Sequence, residues 1–173
     1  MKTQVLFQIL LSVCLSISTA CYGQTKFKAV CYGQTKYELL DLDVKKSDYD
    51  LQGTLQISQS YDKQTQMLTL KIKNEYKHDI ILFQSITPHL FVCFYKKGIS
   101  RTPINVAGED ITVRKKIIKP DSTHVIPYDC GYEITNGYKQ VSFEASVPYF
   151  LVDEKEEVIA IGCFRLEEKR FDL

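Results

Sequence analysis

A period of two governs what this chain can fold into. Leu51, Leu55 and Ile57 are separated by Gln52, Thr54, Gln56 and Ser58, and Leu68, Leu70 and Ile72 by Thr69, Lys71 and Lys73. Successive side chains on a strand point to opposite faces, so this pattern places one face in a core and the other in water. Tyr37, Leu39 and Asp41, alternating with Leu40 and Leu42, form an earlier candidate strand. Asp62-Lys63-Gln64-Thr65-Gln66 lies between two of these runs and reads as a hairpin connection.

Later runs are more continuously apolar: residues 80–83, 90–95, 111–118, 124–128, 141–150 and 158–166. All are rich in β-branched and aromatic residues, which fit a pleated, half-buried surface. Turn residues punctuate them at Lys96-Lys97-Gly98, Ala107-Gly108-Glu109-Asp110, Lys119-Pro120-Asp121-Ser122 and Thr135-Asn136-Gly137, with a polar tip at Asp153-Glu154-Lys155-Glu156. Pro148 inside the 141–150 run implies an edge strand, a bulge or a break. No stretch has the pattern of an amphipathic helix; residues 132–138 hold a short turn at most. The expectation is an all-β, antiparallel sandwich of about eight or nine strands, favoured over a barrel.

Two stretches, Leu68-Thr69-Leu70-Lys71-Ile72-Lys73-Asn74 with a strand following at Ile80, and Ile118-Lys119-Pro120-Asp121-Ser122-Thr123-His124-Val125-Ile126, resemble the small immunoglobulin-like sandwiches of bacterial envelope proteins. The Cys…Trp…Cys core of antibody-type domains is absent, since the chain has no Trp. The resemblance implies a fold class and brings no activity with it.

Met1-Lys2, an apolar run over residues 5–17 and Ser18-Thr19-Ala20-Cys21 have the layout of a secretory signal peptide. The apolar run is shorter than the roughly 20 residues a membrane span needs. Cleavage is expected after Ala20, or as late as Gly23. A lipoprotein peptidase would instead leave Cys21 acylated and make it the only tie to a membrane. Cys21-Tyr22-Gly23-Gln24-Thr25-Lys26 then recurs as Cys31-Tyr32-Gly33-Gln34-Thr35-Lys36. The organisation expected is a signal peptide over 1–20, a basic linker over 21–37 and one sandwich domain over 38–173, in a product that is periplasmic, envelope-anchored or extracellular.

The chain has 22 basic and 21 acidic residues, and such near-neutrality argues against a nucleic-acid binder. Cys93 and Cys163 both fall in mid-strand positions. They are expected either as small buried thiols or as a bridge closing a loop of about 70 residues, contributing on the order of 4 kcal/mol. No spacing of Cys or His matches a metal signature, and no cofactor is expected. Asp41, Asp43, Asp48 and Asp50 surround Lys45-Lys46, which opposes a cation, so the cluster reads as a solvated connection.

Asp121-Ser122-Thr123-His124 holds the residue types of a hydrolytic triad. Neighbours on one strand alternate faces, however, and no nucleophile elbow is present. No catalytic residue is assigned. The expectation is a non-enzymatic exported protein that binds a protein partner at the cell envelope, in adhesion, assembly or inhibition, with Tyr128, Tyr132 and Tyr138 as anchors. The alternatives are a carbohydrate-binding module, which requires a row of exposed aromatics, and an envelope hydrolase built on His78 or His124.

Overall fold

A computed structural model of the protein describes residues 27–32, 35–40, 42–82, 89–96, 101–106 and 115–173. The expected signal peptide, its cleavage point and Cys21 lie outside the described residues. The strands are β1 (Phe27–Tyr32), β2 (Thr35–Leu40), β3 (Asp43–Val44), β4 (Leu55–Asp62), β5 (Met67–Asn74), β6 (Asp79–Leu82), β7 (His89–Tyr95), β8 (Arg101–Asn105), β9 (Lys116–Ile118), β10 (Thr123–Asp129), β11 (Gln140–Val152), β12 (Val158–Leu166) and β13 (Phe171–Asp172). One short helix, α1 (Gly131–Thr135), separates β10 from β11.

All pairings are antiparallel and fall into two sheets. The small one runs β10-β5-β4, and the large one has ten strands organised around β11. β12 lies along one edge of β11. Along the other edge, β7 pairs with residues 140–146 and β6 with residues 149–152. Pro148 sits where that second edge passes from β7 to β6, so its missing N–H interrupts no described ladder. The two inner faces share one core, including Leu55, Ile57, Leu68, Leu70 and Ile72 from the small sheet and Val92, Phe94, Phe143, Val147 and Phe164 from the large one. The fold is the all-β antiparallel two-sheet sandwich that the alternation predicts.

Turn chemistry sets the registers. Asp62 accepts the Gln64 N–H at 2.8 Å and Gln66 adopts φ 58°, which returns the chain from β4 into β5. Asp153 accepts the N–H groups of Lys155 and Glu157 and shapes the β11–β12 tip. Gly53, at φ 127°, precedes β4. A Cβ there would lie 2.4 Å from the Glu75 carbonyl oxygen, so only glycine fits.

Asn74 ties the layers together. Its fully buried amide donates to the carbonyls of His78 and Ile118, at 2.8 and 2.9 Å, and accepts the Tyr76 N–H at 2.9 Å. One side chain at the end of β5 thus holds the approach to β6 and the end of β9. On β12, Gly162 gives the Tyr149 ring its place: a Cβ would come within 2.3 Å of the ring.

Two expectations are corrected. Within the expected 21–37 linker, residues 27–32 and 35–37 lie in β1 and β2, whose register sets Tyr32 opposite Thr35 and Cys31 opposite Lys36. The second copy of the repeat therefore contributes Cys31-Tyr32 to β1 and Thr35-Lys36 to β2. The Cys93–Cys163 bridge is not formed, and both residues remain thiols. Cys93 pairs with Ser142 on one edge of β11 and Cys163 with Pro148 on the other. About 20 Å of strand separates those positions, against a disulfide limit of about 7 Å between Cα atoms.

Among the described residues, the small sheet ends at β10. The Asn74 N–H binds the Ser122 carbonyl and the Cys130 N–H binds the Gln66 carbonyl. These bonds fix the parity of the ladder, so the backbone groups of Thr123, Val125, Pro127 and Asp129 point away from β5. Pro127 removes one N–H from that outward row.

Candidate functional site

Directly opposed residues share a face of a sheet, so the registers place side chains that are distant in sequence side by side. On the outer face of the large sheet, Ile117 lies opposite Ile81, Ile81 opposite Phe150, and Phe150 opposite Ile161. Ile81 is only 2% exposed, although Ile80 and Leu82 beside it supply the core on the other face.

Farther along the same face is a cleft of about 490 Å³, built by Phe91 and Tyr95 of β7, Glu144 and Ser146 of β11, Arg165 of β12, and Glu168 and Arg170 beyond it. The Tyr95 hydroxyl donates to Glu144 at 3.2 Å and so accepts from Ser142, 3.0 Å away. The Arg170 guanidinium lies 4.0 Å from the Tyr95 ring centre and donates through Nε to Glu168. Burial pushes the Tyr95 phenol up to about 12; the Ser142 hydrogen bond opposes this, and the Glu168 and Glu144 carboxylates add to it. Arg165 stands opposite Ser146 and Glu38 in the ladders. Among the described residues, no ion pair or hydrogen bond engages its guanidinium.

A second cleft, of about 790 Å³, is lined by groups that include Lys46, Tyr49, His78, Lys119 and Asp153. Here most of the charges answer one another, while Glu154 and Lys155 of the same lining stand outside these pairs. Lys46 pairs with Glu157 and Asp153, Lys119 with Asp79 at 2.7 Å, and Lys77 with Asp50. Burial pushes the Asp153 carboxyl up, but the backbone N–H of Glu157 and the Tyr49 hydroxyl outweigh it and hold the group below its ordinary value. The first cleft is the candidate site, because it sets arginines beside aromatic rings on a partly apolar floor.

The three tyrosines expected as anchors line neither of these clefts. Tyr128 and Tyr138 are half-buried, each with its ring 5.6 Å from that of Phe94. Their hydroxyls are bonded to Glu133 and Thr102, both at 2.9 Å. Tyr132, on α1, is 76% exposed. The triad residue types do not converge either. The Ser122 hydroxyl is directed at the Pro120 carbonyl, 3.5 Å away, and His78 Nε2 lies 3.0 Å from the Asp50 carbonyl. His124 sits on β10, where burial and nearby Lys116 disfavour its charged form. Cys130 is fully buried, and burial pushes its thiol up to about 12, which leaves it unreactive. Among the described residues, no group of three His, Cys, Asp or Glu is placed to hold a metal.

Phe91, Tyr95, Arg165 and Arg170 are absent from the sequence expectations. One signal was available: Glu144 and Arg165 are charges set inside otherwise apolar strand runs.

The chain is an all-β two-sheet sandwich with a mixed polar and aromatic cleft on the outside of its larger sheet. No protein-family profile matches it, and no curated protein matches it. Among solved structures, a Bordetella pertussis protein assigned as ApaA aligns with 14% identity over 74% of this chain and 95% of its own, at a TM-score of 0.36. Chicken MD-1, complexed with lipid IVa, aligns with 14% identity over 84% of this chain and 99% of its own, at a TM-score of 0.26. At these scores the functional reading rests on the residues of this chain.

Proposed function

We propose that the chain is an exported, non-enzymatic β-sandwich that binds a protein partner at the cell envelope through the outer-face cleft of its large sheet. The observation that carries this reading is Arg165, an exposed guanidinium without a partner among the described residues, in a cleft shared with Phe91 and the Tyr95–Arg170 stack. Arginine and aromatic side chains on a partly apolar floor are the composition of protein-interface hot spots. The layout of residues 1–21 supports the export part of the proposal. A carbohydrate module would need a row of exposed rings. Tyr132 is exposed, but Tyr128 and Tyr138 are half-buried and Tyr149 fully buried.

The test is affinity isolation of the tagged full chain from its own cells, beside the Arg165→Glu, Phe91→Ser and Tyr132→Ala variants, each checked for folding by circular dichroism. A protein held by the native chain and by Tyr132→Ala, and lost by the two cleft variants, is the expected result. Retention of the same protein by both cleft variants would remove the cleft from the proposal. Mass spectrometry of the isolated chain reads the N-terminus and any acyl group on Cys21.

A further inference from the structure

Thr135-Asn136-Gly137 closes α1 with three exposed residues. Asparagine followed by glycine carries a chemistry of its own. The Gly137 nitrogen, once deprotonated, can attack the side-chain carbonyl carbon Cγ of Asn136, and glycine has no Cβ to block the approach. The fold decides when that attack is open.

Three features of the α1 end hold the reacting groups apart. Asn136 is the C-cap, with ψ 9°. The Gly137 nitrogen is therefore eclipsed with the Asn136 nitrogen and not with its Cβ, and no five-membered ring can close from that torsion. The Gly137 N–H donates to the Ile134 carbonyl at 3.0 Å, which keeps its proton in place. The Asn136 amide, which would be the leaving group, donates through Nδ2 to the Tyr132 carbonyl at 2.8 Å. All three features belong to one turn and are lost together when it unwinds. α1 has only five residues, and its N-cap, Cys130, makes no side-chain cap bond. So short a helix has little stability of its own, and weakly held elements of this kind open before the core does. Gly137 ends the helix at φ 80°, a conformation that favours glycine. The residue that closes the cap is thus the one that makes Asn136 reactive.

We infer that Asn136–Gly137 is a site of spontaneous covalent modification, gated by the opening of α1. In the open turn a bond forms between the Gly137 nitrogen and Asn136 Cγ, and the Cγ–Nδ2 bond breaks. Nδ2 leaves as ammonia, taking the proton that the Gly137 nitrogen gives up. Water then opens the cyclic imide at either carbonyl, leaving Asp or its isomer with the main chain routed through Cβ. The product does not rebuild the turn. A carboxylate replaces the donor to the Tyr132 carbonyl, at a helix end whose carbonyls disfavour negative charge. The next bond of the turn, from the Tyr138 N–H to the Glu133 carbonyl, leads directly to a ring packed on Phe94. One opening would leave a permanent mark beside that aromatic cluster, independently of the outer-face cleft.

The test incubates the full chain in neutral buffer, native and unfolded in guanidinium chloride, beside Ile134→Ala and Gly137→Ala. Ile134 packs against the core, so its truncation loosens α1; sub-denaturing guanidinium chloride on the native chain is a second way to open it. Mass spectrometry of acid-cleaved peptides reads the exchange of amide for carboxyl at position 136, and chromatography separates the isomer. Hydrogen exchange at the Gly137 and Tyr138 amides measures opening in the same samples. The unfolded chain is expected to be modified faster than the native chain by about tenfold or more. Ile134→Ala should fall between them, accelerated by the same factor as its exchange at the two amides. In denaturant, Gly137→Ala should be modified several-fold more slowly than the native sequence. Equal rates in the native and unfolded chain would overturn the gate. A modification rate that does not follow exchange at these two amides would overturn α1 as the gating element. An intact Asn136 in the unfolded chain, or no slowing by Gly137→Ala, would overturn the site itself.

Discussion

The two sheets use their outer faces differently. In the small sheet, Val125, Lys71 and Ser58 stand in one cross-strand row, and Pro127, Thr69 and Ser60 in the next. These rows are mostly polar, and the exposed Val125 stands alone in its row. The corresponding face of the large sheet carries Ile117, Ile81, Phe150 and Ile161 in one row, and the cleft around Arg165 farther along. Water covers the first face. The second is partly buried and carries two exposed arginines, Arg165 and Arg170. A two-sheet sandwich needs one apolar face per sheet to close its core, so apolar surface on an outer face serves something other than closure.

The comparison breaks most sharply with one substitution made on both outer faces. Ile81→Lys should cost about 4 kcal/mol, because it buries an unpaired charge. Val125→Lys should change stability by no more than about 0.5 kcal/mol. Urea unfolding of the pair measures both, and equal costs would erase the distinction. The link between the sheets comes next. Asn74→Ala leaves the His78 and Ile118 carbonyls and the Tyr76 N–H without their side-chain partner, and should lower stability by about 3 kcal/mol in the same assay.

Gly162→Ala probes the inner face of the large sheet. The added methyl must displace the Tyr149 ring, which is fully buried, and a loss of about 2 kcal/mol is expected by thermal or urea unfolding. The smallest effect reports on the cleft. The Tyr95 phenol is raised from 10 to about 12 in the fold, so the folded state holds its proton where the unfolded chain has lost it. That contribution is complete below pH 10 and disappears as the pH rises through about 12. Stability of the native chain should therefore fall more steeply over this window than that of Tyr95→Phe. Parallel curves would mean that Tyr95 is no more buried than an ordinary surface tyrosine.

The small sheet was legible residue by residue. Leu55, Ile57, Leu68, Leu70 and Ile72 alternate because one side of their strands meets water, and all five are core residues. The strands of the large sheet were legible as strands but not as faces. In the run Val141-Ser142-Phe143-Glu144-Ala145, both sides are at least partly buried, so hydrophobicity no longer says which way a side chain points. Short edge strands such as β3 and β13 passed unnoticed because two residues carry no period. The candidate cleft was not legible. Phe91, Glu144 and Arg165 meet only through the registers of β7 and β12 on β11, and a one-residue slip would send them to opposite faces. The partial burial of Tyr128 and Tyr138 was not legible for a related reason. A tyrosine near a loop reads as exposed, but here both rings close over Phe94.

The proline in β10 bears on how this molecule behaves in a crowd. A strand arriving from another chain would need a continuous row of donors and acceptors to add itself beyond β10. At Pro127 it would find a ring where it needs a proton. Templated growth is therefore interrupted partway along the strand, and copies packed together in a confined space are discouraged from zipping through this edge into fibres. A partner recognised under those conditions has reason to engage side chains on a face rather than main chain at this margin.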